Sequence, residues 1–223
     1  MHKIIFQILL IVLLGNLDAY SKDQISFKPK LFVLRDFLTE EECDYLIQYS
    51  RPYLKPAVIA NEKTSINEVN PGRICTCMFF PPFHQDPIIA KVEAKMAQAA
   101  GLPITHSEHI QVVNYQVGGL YRPHYDYFNT NLPGGRFFTQ LGGQRMISLV
   151  VYLNRPKLGG ETVFPLSKIS IAPVKGDAIL FYDTDDRGQV DPSTLHAGAP
   201  VLEGEKWIAT AWFRERPYRA YHY

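Results

Sequence analysis

From residue 109 onward the chain is cut into short runs of β-branched and aromatic residues, each closed by Gly, Pro, Asn or Asp. The runs cover residues 109–115, 146–153, 162–164, 169–171, 178–182 and 207–214. Many short strands with turns between them fold as a sandwich or a barrel. Two helices precede them. Thr39-Glu40-Glu41-Glu42 reads as an N-cap with Glu at the third helical position, and Cys43, Leu46 and Ile47 recur at helical spacing to about Ser50. Asp86-Pro87 reads as cap and first residue of a second helix. Ile88, Ile89, Val92, Met96 and Ala99 form its apolar stripe, and Gly101 stops it. Helices in front of such strands can cover one face of a sheet.

The chain has 223 residues, which favours one domain. With 23 Lys+Arg against 22 Asp+Glu, it lacks the basic face that nucleic-acid binding needs. Three cysteines are too few for a disulfide scaffold. Cys75 and Cys77 lack a second ligand pair at zinc-finger spacing, so buried or free thiols are expected; one disulfide among Cys43, Cys75 and Cys77, its pairing unassigned, stays open. The start differs from the rest. Lys3 precedes an apolar run from Ile4 to Leu14, and Ala19 and Ser21 are small. This fits a secretory signal over residues 1–21, with residues 22–223 as a single domain. The alternative is an uncleaved membrane anchor. Residues 61–72 and 128–144 are rich in Asn, Gly and polar residues, and are expected to be mobile loops.

Seven histidines are present. His2 and His222 lie at the termini, His106 and His109 read as structural, and His84 is a further candidate ligand. His124-Tyr125-Asp126 is more informative. On a strand, residues two apart point to one face, so an imidazole and a carboxylate could take adjacent positions on a metal. Alone, the pair is a weak signal and reads first as a surface His-Asp hydrogen bond. A third ligand would complete a two-histidine, one-carboxylate triad with open positions for substrate and O₂. His196, flanked by Ala197 and Gly198, is the best placed candidate. Lys206 stands at the start of an apolar strand, where a lysine at a barrel mouth can anchor a carboxylate.

The order and spacing of these segments resemble the prolyl 4-hydroxylase family of Fe(II)- and 2-oxoglutarate-dependent dioxygenases. The likeness runs from about residue 30 to 217. It is densest in residues 111–119 and in Tyr121-Arg122-Pro123-His124-Tyr125-Asp126. It continues in residues 145–153, Gly159-Gly160-Glu161-Thr162-Val163-Phe164-Pro165, Lys175-Gly176-Asp177-Ala178, Leu195-His196-Ala197-Gly198 and Lys206-Trp207.

The resemblance implies an α+β fold, a double-stranded β-helix (jelly roll) with supporting N-terminal helices. It implies that His124, Asp126 and His196 bind iron and that Lys206 binds the distal carboxylate of 2-oxoglutarate. Tyr115 and Thr162 match positions that hydrogen-bond this cosubstrate, and Trp212 matches an aromatic beside the site. Arg145 and Tyr125 match positions near a bound peptide. The implied cofactors are Fe(II), 2-oxoglutarate and O₂, with ascorbate as reductant. The implied reaction is 4-hydroxylation of peptidyl proline in Pro-rich polypeptides of the secretory pathway, coupled to decarboxylation of 2-oxoglutarate to succinate and CO₂. Hydroxylation of another side chain or a small molecule stays open. A jelly-roll binding module or a zinc hydrolase fits less well, because neither needs Lys206 beside the triad.

Overall fold

The structure, a computed structural model, describes residues 20–81 and 86–219. Both expected helices form. Thr39 caps the helix Glu40–Ser50 through a reciprocal box with Glu42, and Lys91 and Lys95 of the second helix clamp the same Glu42 carboxylate. Asp86 caps the helix Pro87–Ala100 by accepting from the amides of Ile88 and Ile89. Gly101, at φ 69°, ends it in the left-handed conformation glycine tolerates best.

Two sheets make the body, and every strand pairing in them is antiparallel. The larger runs in the order Ser21–Phe27, Lys30–Arg35, Ala178–Tyr182, Arg145–Tyr152, Lys206–Arg214, Gln111–Tyr115, Thr76–Phe79, Lys55–Pro56. The smaller runs Ile169–Ile171, Thr162–Phe164, His196–Gly198, Leu120–His124, Arg73–Ile74.

The central strands of the large sheet are covered on both faces, and the two-residue strand period decides which side chain meets which layer. Val112, Ile147, Leu149, Val151, Leu180, Trp207, Ala209, Ala211 and Phe213 pack with the helices, around Cys43, Leu46, Val92 and Met96. The intervening residues Val113, Tyr115, Val150, Tyr152, Ile179, Phe181 and Ile208 pack toward the small sheet, meeting Phe164 and Tyr121. Strands buried on both faces read as near-continuous apolar runs. Polar residues on the inner face are the exceptions, and they sit at Gln111, Ser148, Lys206 and Thr210, with Asp183 buried just past the strand Ala178–Tyr182.

Two expectations are corrected. Residues 61–72 are not structureless: Val58–Asn61 and Ile66–Val69 form a hairpin. Residues 128–144 contain the short helix Pro133–Phe138. The two segments dock on each other. The Gly134 amide donates to the Glu62 carbonyl at 2.7 Å, and the Asn129 amide to the Glu62 carboxylate at 2.6 Å. A Cβ at Gly134 would lie 2.6 Å from the Glu62 backbone, so only glycine permits this approach.

All three cysteines are free thiols. The expected leader lies outside the described residues except for Tyr20 and Ser21, which join the fold: Tyr20 packs edge-on against Phe37 at 5.1 Å, and Ser21 pairs with Arg35. Among the described residues, no helix is long and apolar enough to cross a membrane. His2, His84 and His222 lie outside the described residues.

Candidate metal and 2-oxoglutarate site

Strand pairing brings residue 196 to residue 124. His124 ends the strand Leu120–His124, His196 begins the strand His196–Gly198, and the two are partners in register. Their rings lie 4.2 Å apart between centroids. His124 Nε2 is 3.6 Å from one carboxylate oxygen of Asp126, and His196 Nε2 is 3.8 Å from the other. The three ligand atoms lie within 4.8 Å of one another, the only such group of His, Cys, Asp and Glu among the described residues.

Each imidazole is oriented by its own strand. His124 Nδ1 meets the Arg122 carbonyl at 2.9 Å, and His196 Nδ1 meets the Thr194 carbonyl at 2.9 Å. A carbonyl only accepts, so Nδ1 carries the hydrogen and Nε2 keeps its lone pair for a metal. Burial, and after it His124, lowers the pKa of His196 to about 4, which leaves the ring neutral and able to ligate. Burial alone would raise the Asp126 pKa. The neighbouring His196, His124 and Arg145 outweigh it and hold the carboxyl ionised, far below the usual range. Tyr121 stacks on His124 with centroids 3.5 Å apart.

The strand argument for His124-x-Asp126 needs correction. Asp126 lies beyond the strand end, in a bend. Tertiary bonds return it to the site: Arg145 Nη1 holds its carbonyl at 3.2 Å, and Ser148 donates to its carboxylate at 2.7 Å.

Lys206 is 3% exposed and pairs in register with Tyr115. Its ammonium sits 5.6 Å from the ring centroids of both Tyr115 and Tyr152. Burial lowers its pKa to about 8, with Glu161 opposing. Among the described residues no salt bridge reaches it. A buried ammonium without an ion-pair partner is a receptor for an anion.

The cleft is lined by His124, Asp126, His196, Lys206, Tyr115, Thr162 and Trp212, so seven of the nine expected residues converge. Thr162 Oγ1 accepts from the Tyr152 hydroxyl at 2.9 Å, which leaves its own hydrogen free to donate. The Trp212 indole nitrogen is buried without a hydrogen-bond partner among the described residues.

The other two expected residues stand outside the lining. Tyr125 is exposed at the surface and lies beside Tyr127, ring centroids 4.6 Å apart. Arg145 is committed to Glu108 by two bonds of 2.7 and 2.8 Å and lies over the Trp212 ring at 4.0 Å. Sequence reasoning missed Arg73, Gln111 and Tyr121 in the lining. Their strand neighbours were visible, but not their inward direction.

The donor set of two imidazoles and one carboxylate suits Fe(II), and an unpaired lysine in the same cleft suits a dicarboxylate. Jelly roll, triad and lysine together define an Fe(II)- and 2-oxoglutarate-dependent oxygenase. In agreement, a family model described as 2OG-Fe(II) oxygenase superfamily matches residues 110–214. Prolyl 4-hydroxylase 1 of Arabidopsis thaliana is 36% identical over 217 residues, spanning 91% of this chain and 74% of that protein. Probable prolyl 4-hydroxylase 10 of the same plant is 34% identical over 214 residues, 87% and 72% of the respective chains. The viral collagen prolyl hydroxylase of Paramecium Bursaria Chlorella virus-1, solved as its 2OG complex, is 31% identical with a TM-score of 0.64, covering 82% of this chain and 95% of that one. The chain belongs to the prolyl 4-hydroxylase family.

Proposed function

We propose that the chain hydroxylates peptidyl proline at the 4-position in Pro-rich polypeptides. The observation that carries this reading is the meeting of His124, Asp126, His196 and Lys206 in one cleft. His124, Asp126 and His196 would hold Fe(II). Bound there, the metal supplies O₂ activation coupled to decarboxylation of 2-oxoglutarate, with ascorbate as the expected reductant. Lys206 neutralises the distal carboxylate of the cosubstrate. The Thr162 hydroxyl and Tyr115 complete that pocket, and Trp212 walls it.

The substrate class is supported by the relatives, which are named prolyl 4-hydroxylases. Exposed Tyr125 offers an aromatic surface for a polyproline II peptide. Arg145, whose donors serve Glu108 and the Asp126 carbonyl, supports the site from behind by backing the Trp212 ring. The basic start and apolar run before residue 15 support entry into the secretory pathway.

The test is incubation with Fe(II), 2-oxoglutarate, ascorbate and a set of Pro-rich peptides, read by mass spectrometry. The reading expects one added oxygen on proline with matching succinate. Succinate formation that depends only on proline-free substrates contradicts the assigned substrate.

A further inference from the structure

Ser148 lies on the strand Arg145–Tyr152 and Asp183 one residue beyond the end of its neighbour Ala178–Tyr182, where the Asp183 amide donates to the Met146 carbonyl at 2.9 Å; both side chains are fully buried. The Ser148 hydroxyl lies 2.7 Å from an oxygen of Asp126 and 2.7 Å from an oxygen of Asp183. A hydroxyl has one hydrogen to give. It can donate to one carboxylate, so the second contact closes only if that carboxyl brings its own hydrogen.

The surroundings say which acid carries it. Asp126 faces two imidazoles, and Arg145 binds its carbonyl. Asp183 has no ion pair among the described residues, and its second carboxyl oxygen is buried with no hydrogen bond among them. The charged groups that act on it are Asp126, which disfavours its ionisation, and Arg145, which favours it less strongly. Burial, with Asp126 next, raises the Asp183 pKa well above the usual carboxylate range.

We propose that Asp183 is a neutral carboxylic acid that positions Asp126: it donates to Ser148 Oγ, which donates to one Asp126 oxygen and fixes that carboxylate for the metal. This rests on the reading of Asp126 as an iron ligand. Asp126 lies past its strand end, so its own backbone does not set its side chain. The Asp183–Ser148 chain ties it instead to the central strands of the large sheet. Asp183 is a positioning residue and touches neither metal nor substrate.

The test uses Mn(II) as an air-stable probe, with its affinity measured by titration calorimetry for the whole chain and its variants. Asp183→Asn keeps a neutral donor toward Ser148 and is expected to bind Mn(II) within about threefold of the parent, whereas Asp183→Ala and Ser148→Ala should weaken it by about tenfold or more. Infrared difference spectra of parent against D183N should show a protonated carboxyl band in the parent alone. Should the alanine variants fail to fold, the asparagine variant and this band still decide. Parental affinity in folded D183A, an asparagine variant as weak as the alanine variant, or absence of the band overturns the proposal. His196→Ala separates the two readings: if it too binds Mn(II) like the parent, the metal site itself is wrongly assigned.

Discussion

His124 and His196 face each other as register partners on neighbouring antiparallel strands, and each ring is held by the carbonyl two residues before it. The two histidine positions are therefore set by one hydrogen-bonded strand pair. Backbone pairing fixes both Cα positions, and the carbonyls fix both tautomers.

The first expectation follows directly. His124→Ala and His196→Ala should each abolish turnover and empty the protein of iron, measured by metal analysis after reconstitution. Since neither ring fills the core between sheet and helices, the melting temperature of the metal-free protein should change little.

A second expectation concerns pH. The pKa of Lys206 is lowered from 10.5 to about 8, so folding disfavours its charged form. Its contribution to stability is therefore present above the unfolded pKa and is lost as pH falls through about 8, with the ammonium then buried without an ion-pair partner. The cosubstrate needs that ammonium. Affinity for 2-oxoglutarate should thus fall as pH rises through about 8. Lys206→Ala should lose this dependence and bind 2-oxoglutarate roughly tenfold to a hundredfold more weakly, the worth of a charge-assisted hydrogen bond. Its iron requirement should move less. Calorimetric titrations at several pH values measure both effects.

Glu108 carries a third. It is buried, bonded at both oxygens to Arg145, and lies 3.0 Å from Arg214. Glu108→Ala leaves two guanidinium groups without their carboxylate and should cost about 3–5 kcal/mol, read by denaturant unfolding. It should also weaken metal binding, because Arg145 holds the Asp126 carbonyl.

What the sequence revealed follows from which interactions are local. Both helices were legible because Thr39, Glu42, Asp86, Pro87 and Gly101 act within one turn of their own ends. The central strands were legible because burial on both faces makes them continuous apolar runs. The hairpin at 58–69 was hidden, because a two-stranded ribbon with largely exposed residues needs no apolar stripe. The strand Ser21–Phe27 is hidden in the same way, because its residues are almost all exposed and carry no apolar alternation. Of the site, His124, Asp126, His196 and Lys206 could be found by motif and family likeness. Ser148 and Asp183, 35 residues apart, meet only through strand pairing and leave no local spacing to read.

A fourth expectation serves as a remote control. Thr39→Ala removes the capping box of the first helix and should cost about 1 kcal/mol, seen as a lowered melting temperature. Hydroxylation kinetics should be unchanged at temperatures where the variant is folded.

The most direct test of the shared site is an anaerobic spectroscopic titration of the metal-free protein with Fe(II) and 2-oxoglutarate. Chelation of the metal by the keto acid should produce a charge-transfer absorption in the parent. That absorption should be absent in Asp126→Ala and His196→Ala, and should need far more 2-oxoglutarate in Lys206→Ala. No absorption in the parent, or the same absorption in Asp126→Ala and His196→Ala, contradicts the account.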